Sequence, residues 1–182
     1  MTSLVNRLYE LYNLGYYNKV VSIAEAEIQN YVACSDSAKI QAASYFRLGD
    51  FQKCHDILLE LEKIYDTEPD YLSLYATTSR RLGHLEKSSQ LFKLALSIEP
   101  NSLPIKNNYA NLLIDLDQLD DAEKLLDEVL STNPTYEDAL QNKNRLEFLK
   151  SEKKSDHPTK SLEHDSSALL DLGDPLLLAF AD

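Results

Sequence analysis

The chain has 182 residues, enough for one domain with a buried core, and its 4 glycines and 6 prolines favour helix over strand-and-turn architecture. A formal net charge of −12 argues against the basic face that nucleic acid or an anionic membrane would demand. Cys34 and Cys54 make no disulfide framework, the first residues lack the apolar run of a signal peptide, and no stretch nears the ~18 apolar residues of a membrane span, which together point to a cytoplasmic protein.

A short string recurs along the chain. Leu14-Gly15-Tyr16-Tyr17 is followed by Leu48-Gly49-Asp50-Phe51, Leu82-Gly83-His84-Leu85 and Leu116-Asp117-Gln118-Leu119, so that positions 15, 49, 83 and 117 stand 34 residues apart. A fixed period of that length is the signature of stacked supersecondary units. The first repeat, 1–34, places Leu8 and Leu11 before its turn and Tyr17 after it. The second, 35–68, has Ala42 and Tyr45 before Gly49 and Leu58 and Leu61 after, with Asp50 placed to cap the second helix. In the third, 69–102, Leu72, Tyr75, Ala76 and Ser79 mark one helical face and Leu85, Ser88, Leu91, Phe92 and Ala95 another. The fourth, 103–136, carries Ala110, Leu113, Leu119, Ala122, Leu126 and Val129. Pro69 and Pro104 lie in first helical turns, where a missing N–H is harmless, and Ser102 stands at an N-cap position. Glycine between two helical stretches allows φ > 0, making each repeat a helix–turn–helix hairpin, and Asp117 tolerates that conformation moderately well.

Residues 137–150, with Ala139, Leu140, Leu146, Phe148 and Leu149 among polar residues, read as a capping helix. Residues 151–167 have the composition of a flexible linker. The segment 168–182 is apolar again, with Asp171, Asp174 and Asp182 interspersed, too short to span a membrane and interrupted by Gly173-Asp174-Pro175.

Over residues 1–136 these features resemble the tetratricopeptide repeat (TPR) family, whose 34-residue pattern runs W-x₂-L-G-x₂-Y, G-x-[YF]-x₂-A, then small or aromatic residues and a final Pro. Pro100 and Pro134 stand at the final position, while Val20 and Glu27 occupy first-repeat positions where small residues are usual. The resemblance implies an all-α, right-handed TPR superhelix of four helix–turn–helix repeats plus a C-terminal capping helix, with the first helix of each repeat lining a concave groove. The residues it turns into that groove include Val5, Tyr9 and Tyr12; Lys39, Ala43, Phe46 and Arg47; Ser73, Thr77, Arg80 and Arg81; Asn107, Asn108, Asn111 and Ile114; and Gln141 and Arg145.

Arg47, Arg80 and Arg81 concentrate positive charge in an acidic chain and would attract an acidic segment. Asn107, Asn108 and Asn111 offer donors and acceptors suited to a peptide main chain. Pairing with neighbouring carboxylates is the plainer use of those arginines, and capping or solvation that of the asparagines. Val5, Tyr9, Ile40, Asp70 and Leu74 stand where chaperone-clamping TPR domains place their Lys, Asn and Arg, which counts against that role. Tyr17, Tyr45, Tyr75 and Tyr109 fall at interhelical positions, where the ring packs and the hydroxyl reaches the edge. Tyr9, Tyr12 and Tyr16 are contact candidates at the open first end.

No catalytic motif, cofactor fingerprint or metal spacing occurs. His55, His84, His157 and His164 read as solvated side chains, Cys54 as a packed thiol in a small-residue position, and the acidic run from Asp115 to Glu123 as a solvated helix start rather than a calcium loop. The expectation is a non-catalytic scaffold that binds a protein or peptide, acidic by charge complementarity, with no cofactor, nucleic acid or membrane. Two alternatives stay open: the recognition module of a larger or partner transferase-type enzyme, and a groove regulated by docking of the chain's own 168–182 tail. Self-association through an open solenoid end is a further option.

Overall fold

The computed structural model describes residues 3–29 and 35–155. Cys34, His157, His164 and the segment 168–182 lie outside them. The described residues form helices and no strand: α1 (Leu4–Asn13), α2 (Tyr17–Gln29), α3 (Ser35–Arg47), α4 (Phe51–Tyr65), α5 (Pro69–Arg81), α6 (Leu85–Ile98), α7 (Leu103–Asp115), α8 (Leu119–Thr132) and α9 (Glu137–Ser155).

The recurring string ends α1, α3, α5 and α7 in one way. Gly15 N–H donates to the Tyr12 carbonyl and Tyr16 N–H to that of Leu11, both at 2.9 Å. The same double closure joins Gly49 and Asp50 to Phe46 and Tyr45, Gly83 and His84 to Arg80 and Ser79, and Asp117 and Gln118 to Ile114 and Leu113. This is the Schellman arrangement, which satisfies the last carbonyls of a helix and needs a left-handed residue after the cap. Gly15, Gly49 and Gly83 sit at φ +78°, +80° and +81°, and Asp117 takes the same role at φ 62°. The next helix then starts at once: the Asp50 carboxylate accepts from Lys53 N–H at 3.2 Å, capping α4 as expected. Ser102 holds the N-cap position of α7 without a side-chain cap bond, and Pro lies in the first turn of α5 and of α7.

Two compact units result, one holding α1–α6 and the other α7–α9. Within the first, α3 packs on both α1 and α5, whereas α2, α4 and α6 touch only first helices among the described residues. The side formed by α1, α3 and α5 is therefore the inner one. Val20, branched where a small residue is usual, is wholly buried on α2.

In the second unit α8 packs against α7 and α9, and α7 also meets α9. Its core joins Ala110, Leu113 and Ile114 to Leu119, Ala122, Leu126 and Val129, and to Ala139 and Leu146 of the last helix. That helix runs past Lys150 to Ser155. Glu152 and Lys153 are good helix formers, and Lys153 reaches the Asp117 carboxylate.

Candidate functional site

In the first unit, α3 and α5 bury polar residues along with apolar ones. Every residue of α5 from Tyr71 to Ser79 is buried. Thr77 and Thr78 donate their hydroxyls to the Ser73 and Leu74 carbonyls at 2.8 Å, and Ser44 to the Ile40 carbonyl at 2.9 Å. A hydroxyl spent on its own helix leaves the side chain presenting carbon. Ala43 and Phe46 of α3 are buried as well.

Cations stand at the C-terminal turns of the same helices, where the helix dipole favours them. Arg47, half-buried, lies over the Tyr17 ring at 5.5 Å, and the exposed Arg81 lies over the Phe51 ring at 4.7 Å. Stacking engages the face of a guanidinium, while its N–H groups point in the plane toward acceptors. Arg80 is half-buried beside Arg81. Lys39, at the other end of α3, is 2.7 Å from the Glu68 carboxylate and 4.5 Å from the Tyr65 ring, so its charge is met inside the chain. Tyr12 is buried edge-on to Tyr17 at 5.2 Å, Tyr9 is half-buried, and Tyr16 is exposed.

The second unit places Asn107, Asn108 and Asn111 on α7, all three buried. Asn142 of α9 donates its Nδ2 to Asn107 Oδ1 at 2.8 Å, while Asn107 Nδ2 is itself buried with no hydrogen-bond partner among the described residues. Arg145 donates to Asn111 Oδ1 at 3.4 Å and to Asp115 at 2.8 Å. The ten predicted contact residues thus divide: Tyr9, Tyr12, Lys39, Arg47, Thr77, Arg80 and Arg81 belong to the first unit, and the three asparagines to the second. Asn142 escapes sequence reasoning because only the packing of α9 on α7 pairs the two carboxamides.

Chemistry elsewhere is quiet. Cys54 is fully buried, its sulfur 3.3 Å from the Thr78 hydroxyl, and burial pushes the thiol up to about 12, away from nucleophilic use. His55 departs from the solvated side chain expected: its ring sits edge-on to Tyr75 at 5.5 Å and to His84 at 5.6 Å, and Nδ1 is buried. The reason is its place on α4, facing His84 in the turn before α6 and the α5 face that bears Tyr75. Tyr45 and Tyr75 are buried at interhelical positions, with Tyr45 donating to Glu25 at 2.5 Å. No group of three or more His, Cys, Asp or Glu that could hold a metal ion occurs among the described residues, and no helix there is long and apolar enough to cross a membrane.

Residues 81–143 match the tetratricopeptide repeat family model. A tetratricopeptide repeat protein from Parabacteroides merdae is similar in structure, with a TM-score of 0.70 at 15% identity over 84% of this chain and 59% of that one. YrrB, described as a TPR protein with an unusual peptide-binding site, gives 0.64 at 12% identity over 83% and 78%. The first TPR of Spaghetti (RPAP3), bound to the HSP90 peptide SRMEEVD, gives 0.58 at 16% identity over 64% and 93%. No curated protein matches the chain at the sequence level.

Proposed function

Starting from a chain built of tetratricopeptide repeats, we propose that it is a protein-interaction scaffold whose first unit takes an extended, apolar segment bearing acidic residues on the side formed by α1, α3 and α5. One observation carries this reading: α3 and α5, which form the inner side with α1, both end in arginine, at Arg47 and at Arg80 and Arg81. The arginines supply charge-assisted donors for carboxylates, and their attraction steers an acidic segment against the repulsion of a chain of net charge −12. The peptide bound to the Spaghetti domain, SRMEEVD, is also acidic, which supports the class of ligand. Asp70, in the first turn of α5, has its carboxyl pushed up by burial, and a carboxylate there disfavours a ligand terminus at that point.

Selection of 12-residue peptides from a random library on the immobilised full chain tests this. Enrichment of sequences combining Leu or Phe with Asp or Glu is expected, with at least tenfold weaker binding to Arg47→Glu and Arg80→Glu chains whose helical circular dichroism is unchanged. Binders without acidic residues, or equal affinity for the reversed chains, would sink the assignment.

A further inference from the structure

We propose that α9 is a detachable cap on the second unit: it undocks from α7 and α8 as one piece, and the charges of Lys143, Lys150 and Lys153 set how often it does so. The device lies wholly in the second unit and stands apart from the peptide site of the first.

One stripe of α9 carries its ionic contacts to α8 and to the turn before it. Ala139, Lys143, Leu146, Lys150 and Lys153 follow one another at alternating spacings of four and three residues, which keeps them on one face of the helix. Three of these five positions are charged. Lys143 lies 3.1 Å from Glu123 and 2.7 Å from Asp127, Lys150 is 2.7 Å from both Asp120 and Glu123, and Lys153 reaches Asp117. The hydrogen bonds to α7 are polar contacts as well: Asn142 donates to Asn107, and Arg145 to Asn111 and Asp115. Among the described residues of α9, Ala139 and Leu146 are the fully buried apolar side chains, while Leu140 and Phe148 are exposed. By contrast, α6 buries Leu91, Phe92 and Ala95, and α5 every residue from Tyr71 to Ser79.

Local stability follows buried apolar contact, so a helix with two such anchors opens ahead of its neighbours. Paired charges at a surface contribute little each, and salt weakens them as the Debye length shrinks from about 10 Å at 0.1 M to about 3 Å at 1 M. Here the pairs act together, because undocking breaks all of them at once. The freed helix then frays, since most of the stability of such a segment comes from its packed face. Release uncovers the part of the second unit's core that Ala139 and Leu146 close, so the lysine stripe governs whether that part of the core is open to a partner.

Hydrogen–deuterium exchange on the full chain, read by mass spectrometry, measures the opening. Peptides covering residues 138–149, clear of the last turn, are expected to exchange at least tenfold faster than peptides from α7 and α8 at 0.1 M NaCl, and about tenfold faster again at 1 M. A Lys143→Gln/Lys150→Gln/Lys153→Gln chain should reach the faster rate already at 0.1 M, with α5 and α6 unchanged. Equal protection of α7, α8 and α9 at 0.1 M overturns the proposal, and so does exchange of α9 that salt or the lysine variant leaves unaltered. The salt series on the wild-type chain carries the same test should the triple variant lose its fold.

Discussion

At the scale of single residues, the turns are where local chemistry decides most. Gly83 has nothing within 4 Å of an added Cβ, so its requirement is purely conformational. Gly83→Ala is expected to cost about 1–2 kcal/mol, the penalty of a left-handed L-residue, measured by urea denaturation. Asp117→Gly should do the reverse, gaining up to about 1 kcal/mol from the backbone and giving back a few tenths through the exposed pair with Lys153. The left-handed tolerance of Asp117 was legible because it depends on one residue type at one place in a period. The Asn107–Asn142 pair was not, since its members lie 35 residues apart. Asn142→Leu alone orphans a buried acceptor and is expected to cost about 1–3 kcal/mol, whereas Asn107→Leu with Asn142→Leu should lie closer to neutral because both polar groups leave together. A double-mutant cycle on thermal unfolding reads the difference; equal losses in the single and double variants would remove the pair's energetic role.

At the scale of elements, α9 shows how a capping helix is held. Its ionic contacts are many: Lys143 meets Glu123 and Asp127, and Lys150 meets Asp120 and Glu123, at 2.7–3.1 Å. They depress the Glu123 and Asp120 carboxyls below their ordinary range, with the Lys150 hydrogen bond first among the causes. These pairs lie at the surface, with Asp120 and Asp127 exposed and Glu123 half-buried, so apolar burial is the larger effect. Leu146, completely buried among Ala110, Leu113, Leu126 and Ala139, is expected to cost about 2–5 kcal/mol as Leu146→Ala, while Lys150→Ala should cost much less. Calorimetry on both variants checks the ranking, and a larger loss from Lys150→Ala would reverse it. The helix itself was legible from Ala139, Leu146 and Leu149 at helical spacing. Its run to Ser155 was not, because Glu152 and Lys153 have the composition of either a linker or an exposed last turn, and contact with Asp117 decides between them.

At the scale of the whole molecule, stability is expected to fall on the alkaline side. Burial and the bond to Glu25 raise Tyr45 to about 12, burial and the bond to Asp36 raise Tyr65 to about 12, and burial raises Cys54 to about 12 from 9.0. Each is an acid held neutral by the fold. Its contribution is complete below the unfolded value, 9.0 for the thiol and 10.0 for the phenols, and is lost as pH rises toward 12. All three lie in the first unit, so helix loss and late tyrosinate formation should coincide there as pH climbs from about 9 to 12. Complete tyrosinate formation with midpoint near 10 and an unchanged helical signal would contradict this. The hydrogen bonds that add to burial join residues far apart in sequence, such as Tyr65 to Asp36 at 2.6 Å across 29 residues, which no periodic pattern displays.

What the sequence by itself determined is the 34-residue period, the helix hairpins and, among the described residues, the positions of the left-handed turns, because helical spacing and backbone freedom act within a few residues. What only the tertiary structure decided is how each polar side chain is used: Lys39 is met by Glu68, Arg145 by Asp115 and Asn107 by Asn142, each partner 29 to 35 residues away. Partners about one repeat apart are brought together by packing of helix on helix, and that packing sets which cations and carboxamides are engaged by the chain itself.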